Sequence, residues 1–126
     1  MRKMSKEIPI KLDKRSLPKH VKISIKASQA KKAEDIVVLD LRDISSFTDY
    51  FVIMQGYSKR QNMAIYESVE NELKNENIRP LSIEGRENAE WILMDYGYFI
   101  IHIFSKEARE YYYLEKLWGD APRSDF

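Results

Sequence analysis

Carboxylates stand beside several predicted strands, which is where Mg²⁺-dependent phosphoryl-transfer enzymes often hold their metal. The carboxylates concerned are Asp40 and Asp43 at the end of the first strand, Asp49 at the second, Glu84 on the third and Asp95 at the fourth. Paired carboxylates of this kind bind Mg²⁺, which neutralises charge in phosphoryl or nucleotidyl transfer. A nucleotidyltransferase-like enzyme that uses strand-end carboxylates and Mg²⁺ is therefore one hypothesis for this chain.

The residues around Gly56 do not complete such an active site. A nucleotidyltransferase requires a Gly-Ser pair at the start of a helix and an acidic-x-acidic pair on the next strand. Here Tyr57 separates Gly56 from Ser58, and the next predicted strand, "PLSIEG", contains one acid. Ser58 is already explained as the N-cap of the helix that follows, with Gln61 completing a capping box. We therefore do not expect an enzyme, and the nucleotidyltransferase stays as the alternative.

Residue usage removes other kinds of chemistry. Cysteine is absent, and His20 and His102 are the only histidines. Disulfides, thiol catalysis, and Cys-based or His-rich metal sites are thereby excluded. The four glycines fit no GxSxG, P-loop or GxGxxG motif. His102 lies in an apolar strand, where a histidine is more commonly a hydrogen-bonded structural residue than a catalytic base. No cofactor and no metal are expected.

Charge divides the chain into two parts. Residues 1–32 contain eleven Lys and Arg against two acids, whereas residues 33–126 contain ten basic groups against eighteen acids. We expect residues 1–20 to form a basic, flexible arm that makes at most a weak contact with RNA phosphates. The acidic remainder lacks basic residues on its strands, which argues against a nucleic-acid platform. No run of about 18 apolar residues occurs, so no membrane segment is expected.

Hydrophobic periodicity predicts a single α+β domain with a five-stranded sheet and about three helices. The predicted helices span 21–33, 58 to about 77, and 105 to about 119, and the predicted strands span 35–41, 48–56, 80–85, Trp91–Asp95 and Tyr98–Phe104. The second helix has the apolar stripe Ile65, Val69 and Leu73. The third begins at Ser105 as its N-cap and has the stripe Tyr111, Leu114 and Trp118. Tyr96 and Gly97 turn the last two strands into an antiparallel hairpin. The helical connection after the second strand permits a parallel pairing, so we expect a mixed sheet.

The hairpin segment "EWILMDYGYFIIHIFS", residues 90–105, is more apolar than a half-buried hairpin requires. A strand with one buried face alternates apolar and polar residues, but Ile92, Leu93 and Met94 are consecutive. Either helices cover both faces of the sheet, or most helices lie on one face and a partner covers the other. Trp91, which follows a polar linker, is accordingly either a core residue or a partly exposed interface anchor.

Several motifs, taken in order, resemble the ribosomal silencing factor family, also called Iojap-like proteins. They are "KKAEDIVVLDLRDISSFTDYFVI", "GYSKRQ", "IEGRENAEWILMDYG", "HIF" and "YYYLEKLWGDAP". The resemblance covers residues 21–122 and leaves residues 123–126 as a tail. It implies a nucleotidyltransferase-like core without catalytic residues, and a non-enzymatic translational repressor that is cytoplasmic and ribosome-associated.

The resemblance also implies partners and a binding surface. Family members bind the large ribosomal subunit through its universal protein fourteen, block joining of the small subunit when nutrients are scarce, and form homodimers when free. Carried onto this chain, the expected partner-binding residues are Trp91, Leu93, Met94, Asp95, Tyr96, Gly97, Tyr98 and His102. Tyr98 replaces an acid that is common in the family, so the resemblance implies an aromatic anchor more firmly than a charge at this hairpin.

Overall fold

A computed structural model describes residues 11–126, which form a six-stranded mixed sheet in the order β3-β4-β5-β2-β1-β6. The strands are β1 (Glu34–Asp40), β2 (Tyr50–Gly56), β3 (Ser82–Glu84), β4 (Trp91–Asp95), β5 (Phe99–Ser105) and β6 (Arg123–Asp125), and the helices are α1 (Lys19–Gln29), α2 (Lys59–Asn75), α3 (Lys106–Tyr112) and α4 (Leu114–Leu117). Only β2 and β5 pair in parallel; the other neighbours are antiparallel. The predicted α+β class and mixed sheet are confirmed. Within residues 11–126, no helix has the length and hydropathy needed to cross a membrane.

The start of α2 shows why "GYSKRQ" folds as it does. Ser58 caps the helix by accepting a hydrogen bond from the main-chain N–H of Gln61 at 3.1 Å. The side-chain oxygen of Gln61 accepts from the N–H of Tyr57 at 2.6 Å. Its amide nitrogen donates to the carbonyls of Lys31 and Lys32 at 3.1 and 3.0 Å. The cap therefore also ties the segment after α1 to the start of α2.

The two long helices lie on the same face of the sheet, which we call the helix face. Ile65, Val69 and Leu73, predicted as the apolar stripe of α2, are fully buried here. Val21 and Ile25 of α1 join them in the same core cluster. This cluster contains more buried residues than the cluster on the opposite face, so the helix face holds most of the core. Burial of each aliphatic side chain contributes about 1.5–3 kcal/mol.

The opposite face, which we call the open face, is covered only in part. Leu114 of α4 and Ala121 lie over buried residues of β1 and β2. Trp91 and Leu93 of β4 pack against this second cluster but remain partly exposed. The sheet therefore has helices on both faces, as one hypothesis required. The cover on the open face is short, however, and it leaves apolar side chains in contact with solvent.

Both ends of the domain extend beyond the predicted boundaries. Residues 123–126, predicted as a tail, contribute β6, which pairs with β1 and makes the sheet six-stranded instead of five-stranded. A three-residue edge strand made of Arg-Ser-Asp lacks the apolar alternation from which a strand is predicted. Part of the predicted arm is also ordered, because Leu12 and Leu17 are buried and α1 begins at Lys19. Residues 1–10 of that arm lie outside the described part of the chain.

The helix predicted over 105–119 is divided into two. Ser105 caps α3 as predicted, accepting from the N–H of Ala108 at 3.1 Å. Tyr113 then adopts a left-handed backbone conformation, with φ of 45°, and ends α3. The chain turns there, so that Leu114 is buried while Tyr112 lies against Trp91, with ring centroids 4.5 Å apart.

Candidate partner-binding surface

Aromatic rings form a continuous band across the open face. The members of this aromatic band are Phe47, Phe51, Trp91, His102, Phe104, Tyr111, Tyr112 and Trp118. The centroids of neighbouring rings lie between 4.4 and 6.5 Å apart. Strand register creates the centre of the band, because Trp91 pairs with Phe104 across β4 and β5. His102 of β5 and Phe51 of β2 lie beside this pair, and the loop before β2 and the segment after β5 supply the rest.

Exposure within the aromatic band increases from the centre to the rim. Phe51, His102 and Phe104 are buried and form its floor. At the rim, Phe47 is 58% exposed and Tyr111 is 82% exposed. A buried apolar floor with exposed aromatic rings is the type of surface that proteins use for interaction hot spots.

A hydrogen bond orients the tryptophan of the band. The indole Nε1–H of Trp91 donates to Nδ1 of His102 at 3.0 Å. Burial lowers the pKa of His102 to about 3, so the imidazole is neutral at neutral pH and its Nδ1 can accept. The ring proton is then on Nε2, which has no hydrogen-bond partner within residues 11–126. His102 therefore supports Trp91 from below and does not itself face solvent.

The predicted site residues on β4 divide between the two faces. Trp91 and Leu93 lie on the open face, opposite Phe104 and His102 respectively. Asp95 follows on the same side, since side chains alternate along a strand. One of its carboxylate oxygens accepts a hydrogen bond from the N–H of Gly97 at 2.8 Å, so Asp95 shapes the hairpin turn. Gly97 has φ of +91°, which explains a glycine at this turn.

Three other predicted residues lie toward the helix face, which corrects their assignment to the binding surface. Met94 is fully buried in the core beneath the long helices. Tyr96 is 8% exposed and stacks on Phe99 with centroids 5.0 Å apart. The hydroxyl of Tyr98 is 3.2 Å from Nδ1 of His20 on α1, although the residue is 38% exposed. The hairpin does not form one surface, because side chains alternate between the two faces of a sheet along each strand.

Several rings of the aromatic band were missed from the sequence. Phe47 comes from the loop "ISSFTD", and Tyr112 from the run "YYY". Tyr111 and Trp118 belong to the predicted stripe of the last helix, but Tyr111 is exposed and α3 ends at Tyr112. The usable signal was an uninterrupted run of three tyrosines, since so many aromatic residues seldom stand together on a solvated helix.

The strand-end carboxylates do not assemble a metal site. Both side-chain oxygens of Asp40 accept hydrogen bonds from Arg42, at 3.0 and 2.7 Å. Burial alone would raise the pKa of Asp40, but the hydrogen bonds and charge of Arg42 outweigh it and hold the pKa below its usual range. Asp43, Asp49 and Glu84 are exposed. No group of three acidic or histidine side chains placed to hold a metal ion occurs in the described residues.

Gly56 also has a structural explanation. A Cβ at this position would lie 2.2 Å from the side-chain oxygen of Asn62 on α2. Asn62 is buried, and its amide donates to the carbonyl of Ala89 at 2.9 Å. Glycine is therefore required where β2 passes the first turn of α2. The pair Gly56 and Ser58 is accounted for by packing and capping.

Fold and surface together describe an α+β domain whose sheet carries an incompletely covered aromatic face. A family model described as "Ribosomal silencing factor during starvation" matches residues 14–126. The ribosomal silencing factor RsfS of Bacillus subtilis is 43% identical over 105 residues, which cover 83% of this chain and 89% of that protein. The chain belongs to the ribosomal silencing factor family.

Other comparisons agree with this assignment. A mouse protein named "Mitochondrial assembly of ribosomal large subunit protein 1" is 37% identical over 89 residues, covering 68% of this chain and 39% of that protein. A crystal structure of a protein from Chromobacterium violaceum matches with a TM-score of 0.77 and 34% identity, covering 79% of this chain and 83% of that one. A second crystal structure, from Bacillus halodurans, matches with a TM-score of 0.74 and 36% identity over 84% and 96% of the two chains.

Proposed function

We propose that this protein represses translation by binding the large ribosomal subunit through its aromatic band and obstructing the joining of the small subunit. The aromatic band is the observation that carries this proposal, because partly exposed rings on a buried floor are suited to docking. The names of relatives support the ribosome as the partner. The bacterial relatives are called ribosomal silencing factors, and the mouse protein is named for assembly of the ribosomal large subunit.

The direct contact is proposed to be a protein of the subunit, namely universal protein fourteen. Strand β4, which carries Trp91 and Leu93, and its neighbours β3 and β5 contain no Lys or Arg. RNA phosphates are bound chiefly by such basic side chains. A face of tryptophan, leucine and tyrosine beside carboxylates instead suits an apolar protein patch with a polar or basic rim.

Obstruction requires occupancy and no bond-breaking chemistry. A bound domain of 126 residues occupies the volume that the small subunit would need at the subunit interface. Trp91 is proposed as the central anchor, with Leu93 and Tyr112 beside it. The rings of His102 and Phe104 hold the anchor in place, so little side-chain entropy is lost on binding.

The same face is proposed to pair two copies of the chain when no ribosome is available. A two-fold dimer uses one surface twice, and the aromatic band is an apolar surface that water contacts in the single chain. Since the ribosomal partner would then compete with the second copy, dimer formation and ribosome binding exclude each other.

Sedimentation of ribosomal subunits tests the proposal. Purified small and large subunits are mixed at a Mg²⁺ concentration that favours joined ribosomes, with and without excess protein. We expect fewer joined ribosomes and co-sedimentation of the protein with the large subunit. An unchanged proportion of joined ribosomes would reject the proposal. Calorimetric titration with isolated universal protein fourteen tests the named contact separately. If the chain binds the large subunit but gives no heat with universal protein fourteen, only that contact is rejected and the proposal of repression stands.

A further inference from the structure

A cleft of about 570 Å³ opens where α3 and α4 meet the edge of the sheet. Its walls come from β1, β2, β6 and the two short helices, and none of its lining residues belongs to the aromatic band. A volume of this size lies within the range of small-ligand sites in proteins. The family assignment and the proposed ribosome contact leave this cleft without a role.

A buried ion pair in the wall of the cleft has one unused acceptor. The side chains of Arg109 and Glu115 are each only 9% exposed. Nη2 and Nε of Arg109 both donate to the same oxygen of Glu115, Oε2, at 2.8 and 3.0 Å. The other oxygen, Oε1, is buried and has no hydrogen-bond partner within residues 11–126. Buried carboxylate oxygens are normally hydrogen-bonded, so this atom points to an N–H donor that residues 11–126 do not supply.

The charge of the cleft defines the kind of donor. The carboxylates that line it are Asp35, Glu110, Glu115 and Asp125. Two guanidinium groups in the lining face them, and both are already paired: Arg109 with Glu115, and Arg123 with Asp125 at 2.7 Å. A third cation lies nearby, because Nζ of Lys14 is 4.5 Å from the ring centroid of Phe126, which lines the cleft. Four carboxylates therefore still outnumber three cations. Neither Asp35 nor Glu110 forms an ion pair within the described residues. The excess of negative charge favours a cation over an anion or a neutral ligand.

Apolar residues form much of the remaining lining and define the body of the ligand. Tyr113, held in its left-handed conformation between the helices, is 52% exposed, whereas Ile36 and Val37 of β1 are each 2% exposed and contribute little surface. Gln55 also lines the cleft, and its side-chain oxygen accepts from Nη1 of Arg109 at 3.3 Å. We propose that the cleft binds an organic cation with an aliphatic stem, whose primary ammonium group donates to Oε1 of Glu115 while Asp35 and Glu110 balance its charge. Two sources share this chemistry, a free aliphatic diamine and a lysine side chain of a protein.

Calorimetric titration of the full chain with two probes tests the proposal. Cadaverine stands for the free diamine, and Nα-acetyl-lysine methylamide stands for the protein side chain; 1-pentanol is the uncharged control. We expect saturable binding of at least one amine and none of the alcohol. Binding of cadaverine alone identifies a free diamine as the ligand, and tighter binding of the lysine derivative identifies a protein side chain. Binding of neither amine, or equal binding of the alcohol, would overturn the proposal.

Three variants locate the binding in the cleft. Asp35 has φ of 50°, a conformation that Asn tolerates well, so Asp35→Asn removes the charge without new backbone strain and is expected to weaken amine binding about threefold. Glu115→Gln removes the proposed acceptor charge and is expected to weaken it about tenfold or more. Glu107→Gln changes an exposed acid of α3 that does not line the cleft, and should leave the affinity unchanged. If both Asp35→Asn and Glu115→Gln fold and bind the amine with unchanged affinity, the amine binds elsewhere and the site is refuted. If Glu115→Gln does not fold, the affinity of Asp35→Asn decides alone.

Discussion

The indole nitrogen of Trp91 and Nδ1 of His102 are joined by a hydrogen bond of 3.0 Å on the open face of the sheet. The histidine is buried, and the tryptophan stays partly exposed above it. Because the bond fixes a large ring in one orientation, Trp91 reaches solvent already ordered. This pre-organisation lowers the entropy that a docking partner has to remove.

Trp91→Ala is expected to weaken binding to the large ribosomal subunit by about 30-fold or more, since a central tryptophan commonly accounts for ~2 kcal/mol or more of binding free energy. The domain should stay folded, because Trp91 lies at the margin of the second core cluster and outside the larger one under the long helices. Binding is measured by co-sedimentation and folding by circular dichroism.

Tyr57→Ala is the matched control for this variant, because it removes a ring that is 78% exposed and lies outside the aromatic band. It should bind like the parent protein. If the spectrum of Trp91→Ala were that of an unfolded chain, Trp91 would be a core residue and the anchor role would be wrong.

Leu93→Glu is expected to abolish both ribosome binding and self-association, because it places a charge on the open face directly opposite His102. Analytical ultracentrifugation over a range of protein concentrations measures the dimer. Leu81→Glu makes the same change at a residue that is 75% exposed and off the open face, and it should leave both properties intact. Dimers that persist in Leu93→Glu would show that the copies meet through another surface.

Acid should weaken the fold through His102. The folded pKa is about 3, below the usual value of 6.5 that the unfolded chain should show, so the unfolded chain binds more protons between these values. The stabilisation is therefore complete above pH 6.5 and is lost as the pH falls toward 3, by up to about 1.4 kcal/mol per pH unit. Urea denaturation at pH 7.0 and 5.5 measures the difference, which should be about 1 kcal/mol.

His102→Gln separates this effect from other acid-sensitive groups. Glutamine does not titrate and retains an acceptor for Trp91, so the loss between the two pH values should shrink by the His102 contribution. If the free energy of unfolding depended on pH equally in His102→Gln and the parent, the loss of stability in acid would be due to carboxylates and not to His102.

Ser105→Ala is expected to destabilise the domain by about 1 kcal/mol, because Ser105 is the N-cap of α3. Its hydroxyl also donates to the carboxylate of Glu90 at 2.6 Å. For a domain of this size the melting temperature should fall by about 3–5 °C, as measured by thermal circular dichroism. Ser46→Ala, at an exposed loop serine, should melt like the parent. Since α3 carries Tyr112 to Trp91, ribosome affinity should fall modestly as well.

Local patterns were sufficient to predict most elements of this fold. The stripe Ile65, Val69 and Leu73 predicted α2, and Ser58 and Ser105 marked the starts of two helices, because capping and amphipathic burial depend on residues close together in sequence. The strand Trp91–Asp95 was predicted with the bounds that the structure shows. In contrast, β6 was missed, because a polar three-residue strand is stabilised by its pairing with β1 and has little strand pattern of its own.

The sequence by itself determined the α+β class, the mixed sheet, the family resemblance and the special position of Trp91. Tertiary structure decided which side chains share a face: it placed Met94 beneath the long helices, His102 beneath Trp91, and Tyr112 beside Trp91. These outcomes depend on strand register and on the break at Tyr113, which bring together residues distant in sequence. A pattern along one chain reports local periodicity, whereas a surface is formed by the side chains that several elements contribute to one face.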